Sequence, residues 1–371
     1  MVKIQIVITA MILILVSGCS DGSDIKKEQE KDLEGKEQET STVAGNKEEL
    51  SYSFVIKDSL FADDSLIALS HFRGLDVKGN VACFSGSNGR YFGFDLEKDS
   101  IIDYGHRKEV YDAEYRDVEM VKNHLLLMNI VNPSAIRRWK MPVLNEAYIN
   151  NDTLCFLDGM DFWDDQNGLA FGDPLNGAHF ILFTNDGGKS WERVEEDKIP
   201  VPLSIEAGFA ASGTSIQCIG DGVAYIGLGG EEARILKTED FGKSWSAFET
   251  PMLHGTAGKG IYSLCFKDEL NGVAVGGNWE NKNCDSSKIY TNDGGLTWNL
   301  SEGIQEYRSC VTHLQGDIFI ATGSSGTDIS YDNGVSWESI SSEGYNAIQF
   351  NDNNQGLAIS NSISNALNTC S

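Results

Sequence analysis

Short apolar segments and polar turns alternate along the chain from about residue 70 to residue 360. The recurring unit is an apolar segment, a turn that contains Asp or Asn and Gly, and a second apolar segment, as in Phe162-Trp163-Asp164 followed by Gly168-Leu169-Ala170. Segments this short, bounded by turn residues, predict β-strands joined by hairpins. The second segments begin near residues 80, 123, 168, 222, 272, 316 and 356.

Seven units, spaced 40 to 54 residues apart, match the four-stranded blades of a β-propeller. We therefore predict an all-β fold, a seven-bladed β-propeller of four-stranded antiparallel blades that forms one domain over residues 51–371. Residues 361–371 are too few for the last two strands. We expect the alternating segment 51–57 to supply the outer strand of the last blade, which would close the ring and remove an exposed sheet edge.

One eight-residue pattern occurs four times, at residues 184–191, 238–245, 291–298 and 330–337. It reads Ser or Thr, any residue, Asp, any residue, Gly, any residue, Ser or Thr, and Trp. The Asp can accept hydrogen bonds from turn amides, the Gly allows a positive φ, and the Trp can return to the core. We predict that each copy joins the third and fourth strands of units three to six, and that its Asp is structural rather than catalytic. The residues concerned are Asp186, Trp191, Asp240, Trp245, Asp293, Trp298, Asp332 and Trp337.

These four copies resemble the Asp-box (BNR) repeats of β-propellers. Three flanking segments, at residues 70–75, 169–174 and 206–214, narrow the resemblance to bacterial propeller lipoproteins related to the photosystem II assembly and stability factor family, with YVTN/BNR-like repeats. The resemblance covers about residues 70–360. It implies a propeller that acts as an assembly scaffold, a rigid disc that holds an exported or membrane protein while that protein matures.

The N-terminus predicts a lipoprotein signal peptide over residues 1–19. Lys3 is its only charge, an apolar run covers residues 4–16, and small residues precede Cys19. We expect lipidation of Cys19. Residues 20–50 contain almost no apolar side chains and should form a solvated acidic tether. The chain would then be a cell-envelope lipoprotein of the outer membrane, facing the periplasm or the cell surface.

The composition argues against several classes of function. The chain has 29 basic and 55 acidic residues, a formal charge of −26, so a nucleic acid would be repelled. No Gly-x-Gly-x-x-Gly opens a helix after a strand and no Gly-Lys-Ser/Thr loop occurs, so no cofactor is expected. The six histidines lack metal-ligand spacing, so no metal is expected either. We expect a monomer whose membrane contact is the lipid anchor alone.

The start of each innermost strand should open onto the central channel, on the face that carries the links between blades. Aligning the units places Arg73, Arg116 and Arg308 there. A guanidinium fork binds a carboxylate or another anion through two hydrogen bonds. Alternatively, these arginines pair with neighbouring carboxylates and brace the ring, and the sequence leaves both open. The other candidate ligand-binding residues at this mouth are Asp158, Asp173, Glu206, Tyr262 and Asp328.

We predict a non-catalytic propeller that engages an exported protein or an acidic ligand at its arginine-bearing face. The alternative is a sialidase-like glycoside hydrolase or a glycan-binding protein, with Tyr262 as nucleophile, Glu206 as its base and Asp158 as the acid/base. Against catalysis, the arginine-isoleucine-proline signature of sialidases is missing after Arg73, and seven units exceed the six of a sialidase. Aromatic side chains near the arginine face would favour a glycan, and the candidates are Trp163 and Trp279.

Overall fold

The computed structural model describes residues 9–14, 54–57, 70–102, 113–140, 143–281 and 284–360. For residues 9–14 and 54–57 it defines the strands alone. The predicted lipidation site Cys19, the tether 20–50 and most of the predicted signal peptide lie outside the described residues. A short 3-10 helix spans Glu196–Lys198. Within the described part of the chain, no helix has the length and apolar character needed to cross a membrane.

Consecutive strands pair antiparallel because tight turns return the chain beside the strand that it has just left. Six sheets contain such a four-stranded meander, and we number them blades 1 to 6 in chain order. Blade 1 contains Phe72–Lys78, Val81–Gly86, Tyr91–Asp95 and Ser100–Ile102, and blade 2 contains Tyr115–Val121, His124–Asn129, Ser134–Lys140 and Val143–Asn150. Blade 3 contains Leu157–Phe162, Gly168–Leu175, Ala178–Thr184 and Glu192–Arg193, and blade 4 contains Ile216–Ile219, Val223–Gly227, Arg234–Thr238 and Ser246–Glu249. Blade 5 contains Thr256–Phe266, Gly272–Asn278, Lys288–Thr291 and Asn299–Leu300, and blade 6 contains Cys310–Gln315, Ile318–Gly323, Gly326–Ser330 and Ser336–Ser341.

Two short segments extend the last two of these blades. Gly229–Gly230 pairs antiparallel with the first strand of blade 5. Glu302–Gly303 pairs in parallel with the last strand of blade 6. The all-β prediction of a propeller with four-stranded antiparallel blades is therefore confirmed.

Side chains on the innermost strands bond to the backbone of the next blade. Asp76 accepts a hydrogen bond from the Met120 N–H at 2.7 Å, and Asp117 accepts one from the Met160 N–H at 2.8 Å. The series continues from Asp161 to Cys218 (2.6 Å), Gln217 to Phe266 (2.6 Å), Ser263 to Val311 (2.9 Å), Cys310 to Ile348 (3.5 Å) and Gln349 to Val77 (2.9 Å). Because the last pair returns to blade 1, these bonds form a closed ring.

The hairpin of Ala347–Phe350 and Gly356–Ile359 lies in this ring between blade 6 and blade 1. Its sheet continues with Thr9–Ile14 and then Phe54–Lys57. Among the described residues, six blades are each formed by one continuous four-stranded meander, where the sequence predicts seven. Residues 9–14 belong to the predicted signal peptide. If this peptide is cleaved, the sheet loses the strand that joins Phe54–Lys57 to the hairpin. Closure of the ring by residues 51–57 therefore stays a prediction.

The four eight-residue copies lie between the third and fourth strands of blades 3 to 6. In the first copy, Asp186 accepts hydrogen bonds from the backbone of Lys189 at 2.9 Å and of Ser190 at 3.1 Å, and from the Ser190 hydroxyl at 2.7 Å. Gly188 has a φ of 71°. Trp191 is buried against apolar residues of blades 2 and 3, and the other three tryptophans are equally buried. Each Asp is thus engaged by its own turn.

Candidate functional site

The link between blades 3 and 4 enters the central channel. It runs from Glu192–Arg193 to Ile216–Ile219, and we call its residues 207–214 the channel segment. The Ser212 hydroxyl donates to the Ser309 carbonyl beside blade 6 at 2.8 Å, and the Thr214 hydroxyl lies 2.6 Å from that of Ser263 in blade 5. The small side chains of Ala207-Gly208-Phe209-Ala210-Ala211-Ser212-Gly213-Thr214 permit this close approach. The segment therefore fills the centre of the ring.

Arg73 and Arg116 both donate to carbonyl groups of the channel segment. Nη1 of Arg73 lies 3.2 Å from the Ala211 oxygen, and Nη1 of Arg116 lies 3.3 Å from the Ala210 oxygen. Arg116 also pairs with Glu114, whose carboxylate accepts from Nε at 2.9 Å. Among the described residues, Arg73 forms no ion pair. Burial, and then the neighbouring charge of Arg116, lower the pKa of Arg73. The two cations are therefore close enough to repel each other.

Two tyrosine rings of the surrounding structure pack with Phe209 of the channel segment. The Phe209 ring stacks on the Tyr262 ring with centroids 3.9 Å apart and planes 12° apart. Tyr307 meets Tyr262 edge-on at 5.0 Å. The Tyr262 hydroxyl donates to the Gly258 carbonyl at 2.9 Å, and burial raises its pKa. Tyr262 therefore stays protonated and packs against the channel segment.

Asp158 and Asp173 lie together beneath Gly208. The Gly208 N–H donates to Asp173 Oδ1 at 3.1 Å, and a Cβ placed on Gly208 would lie 2.5 Å from Asp158 Oδ2. Burial, and then the charge of Asp173, raise the pKa of Asp158 well above its ordinary value. Asp158 is buried on every side, whereas Asp173 is partly exposed. The pair thus supports the channel segment from blade 3. Asp173 lies within the second strand of blade 3.

Glu206 has a different place from the one predicted. It precedes the channel segment and is ten residues away from the first strand of blade 4. Its carboxylate accepts two hydrogen bonds from Arg234, at 2.8 Å from Nε and 2.6 Å from Nη2, and one from the Leu203 N–H at 2.8 Å. His179 Nε2 lies 3.5 Å away, and burial lowers the pKa of His179 to about 4. Glu206 is therefore fully engaged where the link enters the channel, and it makes no hydrogen bond to Tyr262 in the described structure.

Arg308 and Asp328 form a separate buried pair. Nη2 of Arg308 donates to Oδ1 at 2.8 Å and Nε lies 2.8 Å from Oδ2, while Lys288 Nζ lies 3.1 Å from the same Oδ2. Arg308 is 1% exposed and Asp328 is 0% exposed. A ligand cannot reach either group without unpacking the blade, so this arginine braces the ring, as the alternative reading of the sequence allowed. Asp328 lies in the third strand of blade 6 rather than in a turn.

The two candidate tryptophans differ in exposure. Trp163 donates from Nε1 to the Val223 carbonyl at 2.6 Å and meets Phe241 edge-on, so it belongs to the packing between blades 3 and 4. Trp279 is 58% exposed. A Cβ placed on Gly258 would lie 3.0 Å from its Nε1. Trp279 therefore borders the strand Thr256–Phe266, which contains Tyr262.

The predicted site residues thus divide into two sets. Arg73, Arg116, Asp158, Asp173 and Tyr262 surround the channel segment, whereas Glu206, Arg308 and Asp328 are engaged elsewhere. In the sequence, residues 206–214 contributed only to the family resemblance. Their place in the channel was not predicted, because they have no counterpart in the other units. The signal that could have found it was the longest spacing between units, 54 residues, before unit four. No group of three or more His, Cys, Asp or Glu in the described residues is arranged to hold a metal ion.

Comparisons with known proteins support the fold. No family model matches the chain, and no curated protein matches it. Among solved structures, YCF48 bound to D1 peptide matches with a TM-score of 0.54 at 10% identity, over 80% of this chain and 94% of that chain. YCF48 from Cyanidioschyzon merolae matches with a TM-score of 0.52 at 11% identity, over 78% of this chain and 96% of that chain. The RRP9 WD40 repeats match with a TM-score of 0.52 at 11% identity, over 76% of this chain and 84% of that chain. At this identity the likeness shows the propeller fold alone.

Proposed function

We propose that this protein is a non-catalytic binding scaffold whose site is the channel mouth around Arg73 and Arg116. The observation that carries the proposal is the state of Arg73, a half-buried cation whose hydrogen bond goes to a neutral carbonyl while a second arginine lies beside it. An anion placed between the two guanidinium groups would relieve their repulsion and accept charge-assisted hydrogen bonds. A carboxylate of a protein partner has this chemistry.

A peptide of an exported protein is the partner that we favour. A peptide occupies one of the similar propellers, YCF48 bound to D1 peptide. In this chain, Tyr262 and Tyr307 place aromatic rings next to the arginines, and Phe209 of the channel segment packs on them, which suits a peptide better than a small inorganic anion. An acidic glycan stays an alternative, and the exposed Trp279 is the observation that favours it.

We further propose that the ring is a seven-bladed propeller closed by residues 51–57, held at the cell envelope by a lipid on Cys19 and a tether of residues 20–50. The hairpin between blades 6 and 1 supports the seventh position, because its first strand bonds to both neighbouring blades. The sequence around Cys19 supports the anchor. A rigid disc on a tether could hold a partner close to the membrane during its assembly.

The test is capture of envelope proteins by the chain from residue 51 onward. An Arg73→Ala/Arg116→Ala variant should retain its fold and lose the captured protein. Lys189→Ala/Lys243→Ala is the matched control, because it removes the same charge from exposed positions in the turns of blades 3 and 4. Equal capture by all three proteins would place the working surface away from the channel mouth. Hydrolysis of a sialoside by the wild type would instead support the glycoside hydrolase alternative.

A further inference from the structure

The channel segment contacts its surroundings as a bound peptide would. The carbonyl groups of Ala210 and Ala211 accept hydrogen bonds from Arg116 and Arg73, and the side chain of Phe209 stacks on Tyr262. The Ala211 N–H donates to the Phe209 carbonyl at 2.8 Å, so the backbone turns between the aromatic side chain and the arginines. One short stretch of the chain therefore occupies both the cationic and the aromatic parts of the mouth.

This internal occupant is not the best ligand for two arginines. A carbonyl oxygen is neutral, and its hydrogen bond to a guanidinium is weaker than that of a carboxylate. Each of the two contacts uses Nη1 alone, at 3.2 Å and 3.3 Å, which is the long end of the range for N–H···O bonds. Among the described residues, Arg73 thus retains donor groups that an added carboxylate could use.

The fixed points of the link lie on either side of residues 208–211. On the N-terminal side, Glu206 is bound by Arg234, and on the C-terminal side the hydroxyls of Ser212 and Thr214 are bound to blades 6 and 5. Ile205 has a φ of 53°, which is a strained conformation for a β-branched residue. Within residues 208–211, the Gly208 N–H also donates to Asp173 at 3.1 Å. Displacement of these residues would therefore break that bond as well as the contacts to the arginines, while the anchors on both sides stay in place.

We propose that the mouth binds a peptide in which an aromatic residue is followed by small residues and a carboxylate, and that this peptide displaces residues 208–211 from Arg73, Arg116 and Tyr262. The inference rests on the proposed binding function and specifies its ligand. We infer the sequence of this peptide from residues 208–211, because the side chains of Gly208-Phe209-Ala210-Ala211 are the ones that the mouth accommodates in the structure. The carboxylate is the group that would make an external peptide outcompete it.

The first experiment titrates the wild type with acetyl-Gly-Phe-Ala-Ala bearing either a free carboxylate or a C-terminal amide, by calorimetry. The carboxylate form should bind about tenfold more tightly, the ratio that a difference of about 1.4 kcal/mol produces. Arg73→Lys should lose most of this preference, because an ammonium lacks the planar fork. Lys189→Ala, an exposed control, should retain it. Equal binding of the two peptides, or no binding of either, would overturn the inference.

The second experiment tests displacement. Phe209→Ala, and Phe209→Leu as a milder change, should empty the stacking position on Tyr262 and tighten binding of the carboxylate peptide, because less of the protein is in the occupied state. Hydrogen exchange in residues 207–214 should rise when the peptide binds to the wild type. Unchanged exchange together with weaker binding by both variants would show that residues 208–211 form the site instead of occupying it.

The proposed binding function and the proposed peptide ligand can be refuted separately. If envelope capture depends on Arg73 and Arg116 but neither peptide binds, the binding function stands and the peptide inference is wrong. If capture is indifferent to these arginines but the carboxylate peptide still displaces residues 208–211, the mouth is a peptide site whose partner is absent from the extract.

Discussion

Replacing Arg308 with alanine should destabilise the fold far more than the same change at Arg73. Both residues begin the innermost strand of a blade in sequence, and the sequence assigns them equal roles. In the structure, Arg308 is fully buried with Asp328, whereas Arg73 is half-buried and donates to one carbonyl. The chemical change is identical at the two sites, so the difference in the free energy of unfolding measures the surroundings alone.

The magnitude follows from what each change leaves behind. Removing one partner of a buried ion pair costs about 3 to 5 kcal/mol. Lys288 would remain 3.1 Å from Asp328, which favours the lower end, so we expect Arg308→Ala to cost about 3 kcal/mol. The Arg308→Ala change would also remove the hydrogen bonds that Arg308 donates to the Tyr307 carbonyl and to the Ser325 hydroxyl. Arg73→Ala loses one long hydrogen bond and should cost about 1 kcal/mol or less.

The assay is urea-induced unfolding followed by tryptophan fluorescence, with both variants and the wild type under the same buffer. Asp328→Asn and the double variant Arg308→Ala/Asp328→Asn complete a double-mutant cycle. The double variant should be less destabilised than the sum of the two single changes, because each single variant loses the Arg308–Asp328 interaction and the double variant loses it only once. Lys288 loses its partner in both variants that replace Asp328. Equal midpoints for Arg308→Ala and Arg73→Ala, or additive single changes, would refute the bracing role of Arg308.

Three further changes test other parts of the structure. Trp245→Ala should cost about 3 kcal/mol in the free energy of unfolding, because it empties a buried aromatic site, and a loss well under 1 kcal/mol in urea unfolding would contradict this packing. Burial raises the pKa of Asp161 to about 6, so the folded protein holds a proton that the unfolded chain releases near pH 4. Thermal unfolding should therefore show the wild type losing stability relative to Asp161→Asn as the pH rises from about 4 through 6, and parallel curves would argue against a raised pKa. A chain that starts at residue 51 should unfold at a higher temperature than one that starts at residue 59 if residues 51–57 close the ring, and equal midpoints would show that they do not.

The repeat pattern predicted most of the architecture because it is local. A hairpin turn such as residues 184–191 is built from hydrogen bonds within eight residues, so the Ser or Thr, Asp, Gly and Trp positions can be identified in the sequence and found again in the turn. The spacing of the units predicted where the second strands of blades 1 to 6 begin for the same reason. The last blade could not be assigned in this way, since its outer strands have to come from a distant part of the chain.

The candidate site depended on contacts that no local pattern contains. Alignment placed Arg73, Arg116 and Arg308 in equivalent positions, and their chemistry is the same. Their availability to a ligand depends on Asp328 for Arg308, on Glu114 for Arg116 and on the channel segment for Arg73. These groups lie at different distances along the chain from the arginines that they contact.

The sequence by itself determined the class of fold, the turns of blades 3 to 6 and two arginines, Arg73 and Arg116, near the channel mouth. Only the tertiary structure decided that residues 207–214 fill the channel, that Arg308 is paired and that Arg73 retains donor groups. The physical reason is that strand and turn formation depend on residues a few positions apart, whereas burial and ion pairing depend on which blades meet across the ring.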